Sequence, residues 1–274
     1  GRRGMTRILA LSSFVAAGHV GLSAAVPALA RLGVSVVALP TVVLSNHRAL
    51  PAVAGAETPP DDLRAMLDAI EENGWLKGLD AVLTGYLPTA GHVALAAETV
   101  ARVRAASPRA RAVVDPVLGD DPKGLYLPAD TAEALRETLA PAADVLTPNR
   151  FELEFLAGRP ASTLDEALAA AARLADGRRV VVTSPPLGRS ETGALSLGPE
   201  GARLARAPLR NPVPNGVGDV FAALIAAGTS LGAAVGMLDA LTAASVGEPH
   251  LSIARSDWPD APAAPMTTPD ASPD

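Results

Sequence analysis

Short apolar runs alternate with longer segments of helical periodicity along most of the chain. Brief runs of aliphatic and β-branched residues that end at turn residues are typical of buried parallel strands. By this criterion the sequence predicts strands at residues 8–11, 34–39, 81–84, 112–114, 144–146 and 180–183. The segments 191–197 and 202–207 flank Gly198-Pro199 and are predicted to form an antiparallel pair.

The segments between these strands carry helical patterns, several of them opened by a capping residue or closed by glycine. They predict helices at residues 22–32, 61–77, 92–106, 129–139, 150–156, 164–174, 219–227 and 231–246. Strands and helices therefore alternate, which predicts an α/β fold with a mainly parallel sheet and helices on both faces. The sequence contains no internal repeat, and residues 7–258 are predicted to form one domain.

Three stretches lie outside this alternation. Residues 41–60 are predicted to be mostly loop, and a loop of this length inside a compact domain is usually functional or disordered. Residues 259–274 are rich in Pro, Ala, Thr and Asp without periodicity, and are predicted to be a disordered tail. Residues 1–6 are predicted to be a disordered or expression-derived N-terminus, with Met5 as the candidate natural start.

The amino-acid composition argues against several classes of protein function. Hydrophobic residues make up 49% of the 274 residues but aromatic residues only 3%, so the predicted core is aliphatic. The net charge of −6 argues against binding to a nucleic-acid backbone, which needs a basic face. The absence of cysteine excludes disulfides, a thiol nucleophile and cysteine-bound zinc. No apolar run reaches membrane-spanning length, so we expect a soluble, cytoplasmic protein without a membrane partner.

The stretch 211–224 is predicted to be a loop that turns sharply into a helix. Gly216 and Gly218 permit a close backbone approach to a ligand, and the N-terminus of the helix attracts phosphate. Asp219, in the first helical turn, has the chemistry to take a proton from a substrate hydroxyl. Taken alone, however, the stretch favours a helix cap after a two-glycine turn, because Gly-x-Gly-Asp is short and common, so the remaining polar positions must decide.

Polar residues follow nearly every predicted strand. In α/β folds of this kind, ligands bind beyond the carboxyl ends of the strands, which is where these polar residues lie. Asp115 follows a buried strand and is locked by Pro116, which suits either a turn or a contact with Mg²⁺ and phosphate. Asn149 and Glu152 have the spacing of a helix capping box, and the same two groups are also suited to a metal. His47, on the long loop, is either structural or part of a lid.

Together these motifs resemble the pyridoxal kinases of the ribokinase-like superfamily. The match runs in order through almost the whole chain, and Gly-His-x-Gly, Ser-Asn-His and Gly-Tyr-Leu are its most specific parts. The matching residues are Ser12, Gly18-His19-Val20-Gly21, Leu39-Pro40-Thr41, Leu44-Ser45-Asn46-His47, Gly85-Tyr86-Leu87, Val114 to Asp120, Leu146 to Leu153, Val182-Thr183-Ser184 and Gly216-Val217-Gly218-Asp219.

The resemblance implies a single-domain, three-layer α/β sandwich that phosphorylates the 5′-hydroxyl of pyridoxal and related B6 vitamers with ATP. Asp219 would be the general base, and the amides of residues 216–219 would form the anion hole. The implied substrate-binding residues are Ser12, Thr41, His47, Tyr86, Tyr126 and Asp219. The implied ATP-binding residues are Asp115, Thr147, Glu152, Thr183, Ser184, Gly216, Val217 and Gly218.

The resemblance also implies Mg²⁺, a monovalent cation (K⁺ or Na⁺) and a homodimer. The residues that would surround the cations are Asp115, Asp120, Asn149 and Glu152. Val217 departs from the pattern, because many relatives have threonine there. The same motifs leave two alternatives open, a hydroxymethylpyrimidine kinase of the same fold and a weakly active vitamer-binding protein.

Overall fold

The structure is a computed structural model that describes residues 6–255 and 257–269. The strands are β1 (Arg7–Val15), β2 (Ser35–Leu44), β3 (Gly55–Glu57), β4 (Ala81–Thr84), β5 (Arg111–Val114), β6 (Gly119–Asp120), β7 (Gly124–Leu125), β8 (Val145–Leu146), β9 (Arg179–Thr183), β10 (Glu191–Gly198), β11 (Gly201–Pro208) and β12 (Met266–Thr267). The helices are α1 (Leu22–Arg31), α2 (Pro60–Glu72), α3 (Ala90–Ala106), α4 (Ala129–Ala134), α5 (Arg150–Ala157), α6 (Leu164–Leu174), α7 (Val217–Ala226) and α8 (Leu231–Ser245).

Ten of these strands form one sheet in the order β12-β11-β10-β9-β8-β5-β4-β1-β2-β3. The central pairs, from β9 across to β2, are parallel, whereas the pairs at both edges are antiparallel. The predicted α/β fold with a mainly parallel sheet is therefore confirmed. A π-helical turn, Leu135–Leu139, extends α4 to the end of the predicted helix.

The core lies in two apolar layers, one on each face of the sheet. Ile8 and Ala10 of β1 belong to one layer, and Leu9 and Leu11 belong to the other, because side chains alternate along a strand. Helices α1, α7 and α8 cover the first layer, and helices α2 to α6 cover the second. This arrangement gives three layers and brings the carboxyl ends of the parallel strands to one edge.

The prediction of a mostly irregular segment at residues 41–60 is wrong over part of its length. β2 continues to Leu44, and β3 pairs with it, with Val42 opposite Glu57. The side chains of Val42 and Leu44 pack with Val15 of β1 in a small third apolar cluster. The β-branched run after Pro40 thus continues the strand, because it finds buried partners on the neighbouring strand.

The prediction of a disordered tail from residue 259 is also wrong as far as residue 269. Met266 pairs with Ala205 of β11, and the backbone at Pro262 passes directly over Gly236 of α8. A Cβ atom at Gly236 would lie 2.0 Å from the carbonyl oxygen of Pro262, so glycine is needed there. Residues 1–5 and 270–274, which fall within the predicted disordered ends, lie outside the described residues. Over the described part of the chain, no helix is long and apolar enough to cross a membrane.

Candidate active site

The predicted polar residues meet at the carboxyl edge of the parallel strands. Asp115 follows β5 and Thr147 follows β8, which pairs with β5 in parallel. The hydroxyl of Thr147 donates a hydrogen bond of 3.2 Å to the Asp115 carboxylate. Asn149 forms an isolated parallel bridge with Thr183 at the end of β9. Three neighbouring strands thus deliver their terminal side chains to one place.

Asp219 lies in the first turn of α7, where the backbone is tightly packed. Gly216 caps the helix with a φ of 104°, and a Cβ atom there would lie 1.8 Å from the carbonyl oxygen of His19. The backbone N–H of Gly21 donates a hydrogen bond to Asp219. Gly21 also requires glycine, because its Cβ would lie 2.3 Å from the carbonyl oxygen of Ser13. The Gly-His-x-Gly motif therefore supports the start of α7 and orients Asp219.

Asp219 and Asp115 line a common cavity of about 10 Å³, which is the size of a single water molecule. Ser12, Gly21 and Thr84 also line it. The Thr84 hydroxyl oxygen is buried and has no hydrogen-bond partner. A buried hydroxyl normally has a partner, so this cavity is suited to a small polar ligand.

Burial and mutual repulsion favour the protonated forms of these carboxyl groups. Burial raises the pKa of Asp219 to about 6, and the hydrogen bond from Gly21 opposes this rise. The pKa of Asp115 is raised well above its usual range by burial and then by the charges of Glu152 and Asp219. Burial likewise raises the pKa of Glu152 to about 7, and the Asp120 charge adds to the rise. Among the described residues, no positively charged group is one of the causes of these three shifts. The site therefore brings acidic side chains together without a cation that compensates their charge.

Asn149 and Glu152 form the capping box of α5. The Asn149 side-chain oxygen accepts a hydrogen bond of 2.9 Å from the N–H of Glu152, and a Glu152 oxygen accepts one of 2.9 Å from the N–H of Asn149. The second Glu152 oxygen accepts from Leu118 N–H at 2.8 Å, and the Asn149 amide donates to the Gly119 carbonyl. The structural interpretation of this spacing is confirmed, and both side chains hold the Asp115–Asp120 loop in place.

The acidic cluster is suited to a cation, although three carboxylates do not surround one point. Over the described residues, no group of three or more acidic, histidine or cysteine side chains has the geometry to hold a metal by itself. One oxygen of Asp120 is buried without a hydrogen-bond partner, and the other lies 3.6 Å from Lys123. Mg²⁺ needs only one or two carboxylates when phosphate oxygens and water complete its coordination. Asp115 and Asp120 meet this requirement.

The predicted substrate-binding residues Ser12, Thr41 and Tyr86 lie together. The Tyr86 N–H donates to the Ser12 hydroxyl oxygen at 3.1 Å, and the Thr41 hydroxyl donates to the Tyr86 carbonyl at 2.7 Å. Two side chains thus fix the backbone of Tyr86, whose ring is half-buried. Thr41 is fully buried, so in this conformation it positions Tyr86 rather than lining the open cleft.

The Ser-Asn-His motif builds the loop between β2 and β3. The Ser45 hydroxyl donates to the Asn46 side-chain oxygen at 2.6 Å, and the Asn46 amide donates to the Ala52 carbonyl at 2.9 Å. His47 follows, and its pKa is lowered by burial and by the charge of Lys123. Lys123 belongs to the turn between β6 and β7, so this turn and the loop face each other.

Tyr126, the remaining predicted substrate contact, directly follows the hairpin of β6 and β7. Its N–H donates to the Leu118 carbonyl at 2.7 Å, and its side chain is exposed. Burial of the hydroxyl and its hydrogen bond with Asp120 raise the Tyr126 pKa. The Tyr126 hydroxyl therefore lies beside the acidic cluster.

A second cavity, of about 170 Å³, lies on the other side of the α7 N-terminus. Four of the predicted nucleotide contacts share its wall: Thr183, Ser184, Val217 and Gly218. Ser184 has a φ of 50°, and its N–H donates to the Gly193 carbonyl at 3.1 Å. Asp219 thus lines the first cavity, whereas Val217 and Gly218 of the same helical turn line the second.

Three residues of the site were not predicted from the sequence: Thr84, Asp239 and Thr242. Asp239 and Thr242 line the second cavity from α8, and Asp239 forms a salt bridge with Arg210. Asp239 and Thr242 are one helical turn apart, so the sequence places them on one face of a helix. That face is recognised as part of a site only once α8 is known to face β10 and β11. Thr84 ends a fully buried strand. Threonine is common in strands, so its presence there gives no signal of a functional site.

Comparison with known proteins identifies the family of this chain. The profile of the phosphomethylpyrimidine kinase family matches residues 16–245. The pyridoxal kinase PdxY of Deinococcus radiodurans is 40% identical over 230 residues, which cover 79% of this chain and 76% of the relative. The pyridoxal kinase PdxY of Rubrobacter xylanophilus is 42% identical over 254 residues, which cover 89% of this chain and 86% of the relative.

A solved structure shows the same fold. The pyridoxal kinase from Leishmania donovani in complex with ADP and pyridoxine has a TM-score of 0.84 and 31% identity. The match covers 93% of this chain and 94% of that chain. The chain therefore belongs to the phosphomethylpyrimidine kinase family and, within it, to the pyridoxal kinases of the ribokinase-like fold.

Proposed function

We propose that this chain transfers the terminal phosphoryl group of ATP to the 5′-hydroxyl of pyridoxal and related B6 vitamers. One observation carries the proposal: Asp219 lines one cavity together with Ser12, and the two residues that precede it, Val217 and Gly218, line a second cavity. The curated relatives named pyridoxal kinase and the structure with ADP and pyridoxine support it.

Asp219 would act as the general base. Its pKa of about 6 leaves it ionised at neutral pH, yet close enough to that pH to accept a proton from the attacking hydroxyl. The hydrogen bond from Gly21 holds the carboxylate in place during the transfer. The backbone N–H groups at the start of α7 would stabilise the charge of the transferring phosphoryl group, because they are already oriented before the reaction.

Asp115 and Asp120 would hold Mg²⁺, and Asn149 and Glu152 would fix the loop that carries them. The metal supplies positive charge that neutralises the phosphates. Thr147 would orient Asp115, to which it is hydrogen-bonded. A K⁺ or Na⁺ ion beside the same cluster and the homodimer remain predictions from the resemblance, and the cytoplasmic location remains a prediction from the sequence.

The loop of residues 45–54 would close over the substrate. Lys123 on the facing turn is close enough for its charge to lower the pKa of His47 on this loop. Closure would exclude water, which would otherwise compete with the substrate hydroxyl for the phosphoryl group. Tyr86 and Tyr126 would then contact the pyridine ring.

The second candidate is hydroxymethylpyrimidine phosphorylation, because the matching family profile carries the name phosphomethylpyrimidine kinase. A coupled assay of ADP formation with Mg²⁺ and ATP distinguishes the two. We expect turnover with pyridoxal, pyridoxine or pyridoxamine and much less with hydroxymethylpyrimidine. A preference for hydroxymethylpyrimidine would reject the proposal. Binding of pyridoxal without ADP formation would identify a vitamer-binding protein instead.

The Asp219→Asn variant is the control for this assay. It keeps the shape of the side chain but removes the base, so turnover is expected to fall about 10²- to 10⁴-fold. Binding of ADP, measured by calorimetry, is expected to persist because Val217 and Gly218 are unchanged. Normal turnover in this variant would remove Asp219 from the reaction.

A further inference from the structure

An arginine-lined cavity lies at the edge of the sheet opposite the active site. Its volume is about 230 Å³, and its charged walls are formed by Arg136, Arg173, Asp176 and Arg178. Arg178 directly precedes β9, whereas the candidate active site is built from residues that follow the parallel strands. The cavity is therefore separate from the site of phosphoryl transfer.

Three guanidinium groups and one carboxylate give the cavity walls an excess of positive charge, in a chain whose net charge is −6. Elsewhere the half-buried arginines have partners: Arg102, Arg104 and Arg150 each form an ion pair with an acidic side chain. Over the described residues, Arg173 and Arg178 form no such pair, although Asp176 shares their cavity.

The Arg178 side chain has an unused donor. Its terminal nitrogen donates a hydrogen bond of 3.3 Å to the Pro141 carbonyl, but its Nε atom is buried and has no partner. A buried N–H without an acceptor is unfavourable, and it becomes favourable when an anion accepts from it. This feature points to a ligand with oxygen acceptors.

Arg136, on the same wall, contacts an acidic side chain and an aromatic ring. It forms a salt bridge of 2.5 Å with Glu133, and its guanidinium carbon lies 5.6 Å from the centre of the Phe155 ring. Ala140 and Leu156 are buried and add apolar surface to the cavity lining. The planar guanidinium of Arg136 has the geometry to donate to a phosphate oxygen.

We propose that this cavity is a second ligand site that binds a phosphate group, either as inorganic phosphate or on a small phosphate monoester. Planar guanidinium groups match the oxygens of a phosphate, and the cavity has room for the group and a few further atoms. Arg173 and Arg178 provide the donors, and Arg136 borders the site. Asp176 opposes binding and thereby limits affinity.

Calorimetric titration of the full chain with inorganic phosphate and with glycerol 3-phosphate tests the site. Mg²⁺, β,γ-methylene-ATP and pyridoxal are present at saturation to keep the probes out of the active site. Arg173→Gln is the main variant, because Arg173 is exposed and its loss breaks no ion pair. Its affinity for phosphate is expected to fall about tenfold. Arg178→Gln is expected to have a similar effect.

Two matched variants complete the test. Arg109→Gln removes the same charge from an exposed position outside the cavity, and its affinity should equal that of the parent. Asp176→Asn removes the repulsive carboxylate and should bind more tightly. Tighter binding of the ester than of inorganic phosphate identifies an ester as the ligand, and the reverse order identifies inorganic phosphate.

Equal affinities in the parent and in Arg173→Gln would overturn the proposal, as would the absence of any heat of binding above that of chloride. The outcome does not depend on the proposed kinase activity, because the titration measures binding alone. In the absence of phosphate, Arg173→Gln should phosphorylate pyridoxal as fast as the parent.

Discussion

At the residue scale, the site holds a carboxylate whose charged form the surroundings disfavour. Asp219 is partly buried beside Asp115, and burial raises its pKa to about 6. An Asp in water has a pKa of about 3.9, which would make it a weak base. The packing of Gly21 and Gly216 thus does more than shape a turn, because it places the carboxylate where it becomes a better proton acceptor.

The pH dependence of the reaction should show this shift. As a base, Asp219 must be ionised, so kcat/KM for pyridoxal is expected to fall below about pH 6, where a solvated Asp would keep activity to about pH 4. Because the charges of Asp219 and Glu152 both act on Asp115, the apparent pKa belongs to the cluster. The measurement is kcat/KM between about pH 4.5 and 8. An acid limb near pH 4 would contradict the assignment.

Val217 gives a second prediction at this scale. It lines the nucleotide cavity at the start of α7 and offers no hydroxyl to a phosphate. Val217→Thr adds one, and a single hydrogen bond contributes about 0.5–1.5 kcal/mol, so KM for ATP should fall about two- to tenfold. KM for pyridoxal, measured in parallel, should stay constant and serves as the control. An unchanged KM for ATP would show that no phosphate oxygen lies near this position.

At the element scale, the loop between β2 and β3 depends on its own side chains for its shape. Asn46→Ala removes the hydrogen bonds to Ala52 and Ser45. We expect KM for pyridoxal to rise about tenfold, because a loosened lid must be ordered when the substrate binds. Val53→Ala, in the same exposed loop, makes no such bond and is the matched control. Equal KM values in the two variants would exclude the loop from substrate binding.

The secondary-structure elements also differ in how far they can be predicted from the sequence. The strand ends Asp115 and Thr183 were predicted because a buried run followed by a polar residue is a local signal. The capping box of Asn149 and Glu152 was predicted for the same reason, from its spacing. The pairing of Met266 with Ala205 could not be predicted, because the two are far apart in sequence and the strand is short.

At the scale of the whole molecule, the charged cluster should lower stability. Asp219→Asn removes one repelling charge and is expected to raise the free energy of unfolding at pH 8. With about 1.4 kcal/mol per pKa unit, reduced for partial solvent contact, the gain is about 1–3 kcal/mol. A typical protein has a total of about 5–15 kcal/mol, so denaturant titration resolves such a change.

The pH dependence of this gain separates charge repulsion from packing. A raised folded-state pKa means that the folded protein holds its proton more tightly, so the parent loses stability as the pH rises towards about 6. The advantage of Asp219→Asn should therefore be full above about pH 6 and vanish near pH 4, where Asp is protonated in both states. A gain that is independent of pH would trace the effect to packing, and a loss at pH 8 would show that the Asp219 charge is stabilising.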